Sequence, residues 1–486
     1  MSGKSVKRNY IYNVAYQILV LVTPLVTTPY VSRVLGADNI GKVSYESSAA
    51  SYFVMLAALG TGLYGSREIS YMQGSLENRT KVFWNIAALR GICSFVSLFV
   101  YILYAFEIRN GNPLCLIMAV SIATSAIDIT WFFQGMEDFS RIIVKNLILK
   151  IADIVFIFVF VNSRDDILLY ALSGTLMPAL AHLSLWPSLR TAVEKRNVKD
   201  IRPFSDFKVI LSLFIPTIAV SIYTILDKII IGLVDSSGFE NGYYEQAVKI
   251  SKMTLTLLTA LGTVMVPRIG NCYMHNEMQA VRRYMYRSYR FAWFLGIPLC
   301  LGVIGISDNL VPWFFGDGYH QVAVLLKVLP LLIPAIGISN VTGVQYLIPT
   351  QRQNLFTATV IIGSAANMAL NAVFVPKLFA MGAALASVIT EMTVAVIQLI
   401  LVRKELHFQD IAGHMPKYAS AGMVMLAAVR IENFFFCPSV VNTAVMISSG
   451  AAVYGLMLLI LRDDFFISYL KMIIRMGKDH RKERKK

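Results

Sequence analysis

The sequence predicts an all-α polytopic membrane protein of about 14 transmembrane helices. These form two pseudo-symmetric six-helix lobes around a central cavity, plus two accessory C-terminal helices. Three observations predict this. The 486-residue chain is 56% hydrophobic and only 15% charged, with a mean hydropathy of +0.61, whereas soluble domains carry roughly 25% charged residues. Apolar runs close to the ~20 residues that cross a bilayer recur from Asn9 to Leu461 with short polar breaks. A weak internal repeat relates the two halves.

The spans fall near residues 10–33, 43–65, 83–106, 114–136, 142–162, 167–189 and 209–234. They continue near 244–267, 289–307, 321–348, 355–375, 380–402, 416–436 and 440–461. In lipid every backbone polar group must be satisfied internally, which leaves helices or closed barrels. The ~10-residue alternating segments of a barrel are absent. Pro24 and Pro29 lie in the first span and predict a bent helix, because proline breaks the hydrogen-bond ladder. The second span closes in Gly60-Thr61-Gly62-Leu63-Tyr64-Gly65, a formal match to a dinucleotide fingerprint. That fingerprint needs a preceding strand in a soluble α/β unit, so close helix packing is the better account here.

The repeat aligns Pro24 with Pro216, Arg33 to Gly36 with Lys228 to Gly232, and Gly41, Tyr45 and Glu46 with Gly242, Tyr244 and Glu245. It pairs span 1 with span 7 and span 2 with span 8. A six-span copy inserts in the same orientation, giving two parallel lobes with a cavity between them. The expected division is 1–195 for the first lobe, 196–208 for a basic connecting loop and 209–405 for the second lobe. Residues 406–462 hold the accessory spans and 463–486 a basic tail.

The net charge of +15 is foremost a topology signal. With the N-terminus in the cytoplasm, the inter-span Lys and Arg residues fall on the cytoplasmic side, except Arg33, Lys42, Arg109, Arg164, Lys377 and Arg430. Both termini are therefore expected in the cytoplasm. The first apolar run reads as a retained span rather than a signal peptide. The polybasic tail suits a topology anchor and acidic lipid headgroups, and no base-stacking module accompanies it to support nucleic acid binding. Five scattered cysteines give no disulfide framework.

Charges inside spans carry the chemistry. Each costs on the order of 2.5–3.5 kcal/mol at the centre of a membrane helix. Lys150 and Asp153, three residues apart, can neutralise each other. Asp227 and Lys228 are adjacent, so their side chains diverge and each needs another partner. Arg90, Lys228, Lys249 and Lys252 outnumber the carboxylates expected to face them, which points to an anionic ligand. Asp128, Asp227 and Glu245 are candidates to carry a coupling proton or Na⁺. Lys327 and Glu391 are placed near cavity edges. No catalysis and no other cofactor is expected. Connections of at most about 20 residues cannot hold a catalytic domain, and the chain has no H-E-x-x-H, G-x-S-x-G or Walker motif.

Several blocks are specific. Asn9 to Asn13, Pro24 to Gly36, Gly41 to Ser44, and Ala58 to Glu68 closely resemble the start of bacterial polysaccharide flippases, the Wzx-type branch of the MOP superfamily. Asp227 to Gly232, Tyr244-Glu245 and Val266-Pro267-Arg268 resemble that family's second half. The resemblance implies a cationic cavity between two six-helix lobes. It also implies the substrate, an undecaprenyl-pyrophosphate-linked oligosaccharide moved from the cytoplasmic to the outer leaflet of the bacterial inner membrane for O-antigen or capsule synthesis. By position in the matching blocks, Arg33, Arg67, Lys228 and Lys249 are candidates for the pyrophosphate site, with Arg90 and Lys252 added from burial. Arg33 and Arg67 lie near span ends and suit interface anchoring equally. Tyr30, Tyr45, Tyr223 and Tyr244 are candidates to stack on sugar rings. Membrane lipids, a polysaccharide polymerase and glycosyltransferases are the implied partners. The alternatives are a lipid II flippase and a cation-coupled multidrug antiporter. The N-terminal block disfavours the first, and the cationic surplus disfavours the second.

Overall fold

The computed structural model describes residues 3–472. Most of the expected basic tail and the side chain of Tyr223 lie outside the described residues. The helices run α1 Gly3–Ala58, α2 Thr61–Tyr71, α3 Leu76–Glu107, α4 Pro113–Ile127, α5 Thr130–Gly135, α6 Phe139–Phe160, α7 Ile167–Leu185 and α8 Phe207–Val234. They continue as α9 Phe239–Met274, α10 Met278–Phe315, α11 His320–Leu325, α12 Leu332–Ser339, α13 Gln353–Val402, α14 Phe408–Ala412, α15 Met415–Phe435 and α16 Val440–Ile460. A helical segment at 464–472 follows, and no strand occurs among the described residues.

Every predicted span coincides with helix, but the breaks differ from expectation. Helix α1 holds the first two spans, and its departure from helical dihedrals is at Gly36 (φ 79°, ψ 166°), not at Pro24 or Pro29. That conformation is open to glycine and costly for a residue with a Cβ. The second span stops at Ala58, where Leu59 and Gly60 take positive φ, and α2 then starts a new axis. Helix α13 holds two expected spans across Phe379. The tenth expected span is not a single α-helix. It is α11, a 3₁₀ turn at Leu329–Leu331, α12 and a π-helix at Asn340–Leu347. Pro330 lies in that turn and has no N–H to give a continuing helix. Among the described residues, seven helical segments are long and apolar enough to cross a membrane, or eight counting the bent α9 as one span.

The chain divides into two packing units, Met1–Glu245 with Asn371–Ala380, and Gln246–Leu370 with Met381–Lys486. This division by packing places α8 with the N-terminal helices, whereas the expected lobes divide the chain by sequence at 196–208. In the first unit one core gathers Phe83, Trp131, Phe132, Ile86 and Leu185, and a second gathers Tyr101, Cys115, Met118 and Ile122. Gly65 is where Trp131 packs, since a Cβ there would fall 2.4 Å from its ring. Of the three glycines in the fingerprint-like motif, Gly62 faces open space, so close packing explains Gly60 and Gly65 but not Gly62.

The repeat-related glycines meet each other within this unit. A Cβ on Gly41 would lie 1.8 Å from the Gly238 carbonyl oxygen, and one on Gly242 would lie 1.9 Å from that of Ala37. Backbone therefore rests directly on backbone. Gly41 is helical, not part of a turn as its sequence context implied. Gly242→Ala has no flexible neighbour to displace, so we expect destabilisation of about 3 kcal/mol. A lowered thermal unfolding midpoint in detergent would register it, and an unchanged midpoint would contradict the packing.

The connecting loop is clasped to the start of α3. Arg79 Nε donates to Ala192 O (2.8 Å), Trp84 Nε1 donates to Glu194 O (2.9 Å), and Arg202 N donates to Asn85 Oδ1 (2.9 Å). In the second unit, Tyr289, Tyr346, Met285 and Leu347 centre one core. Tyr418, Met425 and Leu458 bind the accessory helices α15 and α16 into another.

Candidate substrate and ion site

Two charge networks lie inside the spans of the first unit. The first forms where the fourth expected span breaks. Asp128 leaves the helix at the end of α4 (φ −72°, ψ 111°), and its Oδ1 accepts from the Thr130 amide (2.9 Å) and hydroxyl (2.6 Å). Such a turn, closed by an aspartate on its own backbone, stops a helix. The break frees carbonyls that lipid cannot satisfy. Arg90 Nε donates to Ser125 O (2.6 Å), Trp186 Nε1 to Ile127 O (2.8 Å) and Trp131 Nε1 to Asp128 O (3.1 Å). The Arg90 guanidinium also binds Asp128 Oδ2 at 2.7 Å, and His182 Nδ1 lies 3.1 Å from Oδ1. Arg90 is 5% exposed. It is committed to closing a helix end, which accounts for its burial without a ligand, and Asp128 is likewise occupied.

The second network forms in the α8–α9 hairpin. Asp235 caps the turn by accepting from the Ser237 amide (3.0 Å), the Ser237 hydroxyl (2.6 Å) and the Glu240 amide (3.0 Å). The returning helix then places residues 241–245 against 227 and 228. As their adjacency required, Asp227 and Lys228 go to different partners. Asp227 accepts from the Tyr244 hydroxyl (2.5 Å) and Asn371 Nδ2 (2.7 Å). Lys228 ion-pairs with Glu245, which also accepts from the Ser44 hydroxyl (2.8 Å). The repeat partner of Glu245, Glu46, is paired in its turn with Arg109. Lys150 and Asp153 form the expected pair at 2.9 Å.

The remaining candidates lie on α1, α2 and α9. Arg33 is exposed on α1. Arg67 on α2 binds its neighbour Glu68 at 2.9 Å and lies over the Tyr64 ring. Lys249 is half-buried and Lys252 exposed, both on the part of α9 that belongs to the second unit, so burial does not recommend Lys252. Arg90 and Lys228 each face a carboxylate, so a ligand that meets Lys228 has to compete with Glu245. Lys327 binds Asp308 at 2.9 Å and Glu391 is buried. Tyr45 and Tyr244 are buried, and Tyr30 donates to Val161 O at 2.8 Å and packs on Phe158. Among the described residues, no group of three or more His, Cys, Asp or Glu is placed to hold a metal ion.

His182, Asn371 and Arg109 were missed as partners. Asn367 and Asn371 gave a readable signal, as two asparagines one turn apart in an apolar run, both fully buried. Arg109 gave none, because it sits in a connection.

The second unit carries a polar clasp at the helix ends. Asp463, fully buried, accepts from Arg290 Nη2 (2.9 Å), the Tyr418 hydroxyl (3.2 Å) and the Phe466 amide (2.8 Å). Burial pushes its carboxyl up, but the Phe466 amide and Arg290 outweigh it and hold the group below the ordinary carboxylate range. A depressed folded-state value contributes stability that is present above the unfolded value and lost as pH falls through the folded one. Asp463→Asn should therefore flatten the acid limb of a stability–pH profile below about pH 4. An unaltered acid limb would remove Asp463 from that role.

Long apolar helices that retain ion pairs within their spans define a polytopic membrane protein. A family model described as polysaccharide biosynthesis protein matches residues 6–272, more than half the chain, and the chain belongs to that family. It is 24% identical over 411 residues to an Escherichia coli K12 protein named "Putative O-antigen transporter", covering 82% of this chain and 97% of the relative. Among solved structures, the lipid II flippase MurJ in an inward closed conformation matches with TM-score 0.75 at 17% identity, over 94% of this chain and 99% of that one. An inward-facing multidrug MATE transporter of the MOP superfamily matches with TM-score 0.60 at 13% identity, over 84% and 99%. The chain therefore shares the fold of these two transporter structures.

Proposed function

We propose that this chain is a flippase that moves a lipid-linked oligosaccharide, built on undecaprenyl pyrophosphate, from the cytoplasmic to the outer leaflet of the bacterial inner membrane. It is not an enzyme in this reading, and both termini face the cytoplasm. The observation that carries the reading is the match to nearly the whole of a relative named for O-antigen transport. Alternating access of the two six-helix lobes supplies the movement. Lys228, Lys249, Arg33 and Arg67 are the proposed contacts for the pyrophosphate, whose oxygens Arg and Lys are suited to hold. Asp227 is the proposed carrier of a coupling proton or Na⁺, because Asp128 and Glu245 already hold cationic side chains. A polysaccharide polymerase and glycosyltransferases are the proposed partners.

The test is transfer of labelled undecaprenyl-pyrophosphate oligosaccharide across proteoliposomes, read as access to an external lectin. Transfer is expected. Movement of lipid II instead would favour the peptidoglycan reading, and movement of cationic drugs alone would overturn both. Transfer that ignores imposed proton and Na⁺ gradients would remove the coupling role of Asp227.

A further inference from the structure

We propose that the second packing unit holds a binding site for the headgroup phosphate of an anionic phospholipid, in a basic cavity bounded by the α9–α10 hairpin, α14 and the 464–472 helix. The cavity measures about 960 Å³, within the ~300–1,000 Å³ range of small-ligand sites. Arg283, Arg287 and Arg290 stand at i, i+4 and i+7, so they share one face of α10, and Arg268 near the end of α9 joins them on the wall. Against these four guanidinium groups the lining sets only Asp410 and Asp464. Arg290 is spoken for by Asp463. Arg268, Arg283 and Arg287 make no ion pair among the described residues. Three guanidinium groups against two carboxylates, none of them joined in an ion pair among the described residues, leave a wall with net positive charge that suits an anion.

The rest of the wall says what kind of anion. Leu261, Met265, Phe291, Phe465 and Met472 line the same cavity. Along α10 the sequence changes at this level from Arg282, Arg283, Arg287 and Arg290 to the apolar run that starts at Phe291. That change marks where a bilayer passes from headgroup to hydrocarbon. A ligand with a phosphate at one end and methylenes at the other uses both walls, and basic pockets between helices at this depth take acidic lipid headgroups. Inorganic phosphate shares the anionic chemistry but leaves the apolar wall unused. Because α10 and the 464–472 helix both line the cavity, a bound lipid braces the C-terminal helix beside the Asp463 clasp. The site is independent of the transported substrate.

The experiment is native mass spectrometry of the full-length protein in detergent, with phosphatidylglycerol, phosphatidylcholine or inorganic phosphate added separately and in competition. The wild type should retain phosphatidylglycerol about tenfold or more in preference to phosphatidylcholine. Arg283→Gln/Arg287→Gln should lose that preference, while Arg283→Lys/Arg287→Lys keeps most of it. The thermal midpoint of both variants in lipid-free detergent guards against misfolding. Retention by the glutamine variant equal to wild type overturns the proposal, as does equal retention of the two lipids. Displacement of phosphatidylglycerol by millimolar phosphate would make this a small-anion site and overturn the lipid assignment. Lipid retention is read without transport, so failure of the flippase reading leaves this result standing, and the reverse holds too.

Discussion

Lys228→Ala abolishes transfer of lipid-linked oligosaccharide in proteoliposomes while the protein remains folded in the membrane. The expected loss is two orders of magnitude or more, because a cation that meets a pyrophosphate in a site shielded from water contributes on the order of 3 kcal/mol. The structure makes a single substitution ambiguous, since Lys228 is also the partner of Glu245. Removing one member of a partly buried pair leaves the other charge stranded, which is itself damaging. Lys228→Met/Glu245→Gln separates the two effects by deleting both charges together. A double variant that folds normally and still fails to transport supports a substrate role for Lys228. One that regains transport makes the pair structural and sinks the assignment.

Arg90→Ala and Asp128→Asn are expected to give the largest losses of stability, about 3–5 kcal/mol each. Arg90 loses its ion pair and also leaves the Ser125 carbonyl without its donor. Asp128→Asn keeps the turn geometry but strips the charge that holds Arg90. The two losses should be strongly non-additive, because the residues share one network. Thermal unfolding of both single variants and the double variant measures this. Losses that simply add would show that Arg90 and Asp128 act separately.

The fold was legible because lipid leaves few solutions. Twenty-residue apolar runs and the asymmetric placement of Lys and Arg depend on composition, which survives without knowledge of contacts. Helix breaks were less legible. Pro24 and Pro29 pass through α1 with helical dihedrals, while Gly36 and Leu59–Gly60 turn the chain. Proline in a membrane helix can be absorbed by its neighbours, and whether a glycine takes positive φ depends on what packs against it. At the site, sequence marked Asp227 and Lys228 as needing separate partners, and that held. It did not show that Arg90 and Lys228 are paired, because Asp128 and Glu245 reach them from other helices, and pairing across helices is a property of the tertiary fold. Burial was a poor guide for Lys252 for the same reason, since a residue within a span can still face outward from the packed protein.

The glycine seam between the start of α9 and the second half of α1 has a mechanical consequence. Contacts made by side chains can be reshuffled by changing rotamers, whereas two main chains in direct apposition have nothing to rearrange. That seam behaves as a weld. The two segments it joins are the aligned pieces of the weak internal repeat, so any rocking of the lobes has to leave this contact closed. Flexibility during a working cycle must then be borne by other joints, and residues 37–42 and 238–242 should exchange their amide hydrogens as one slow block.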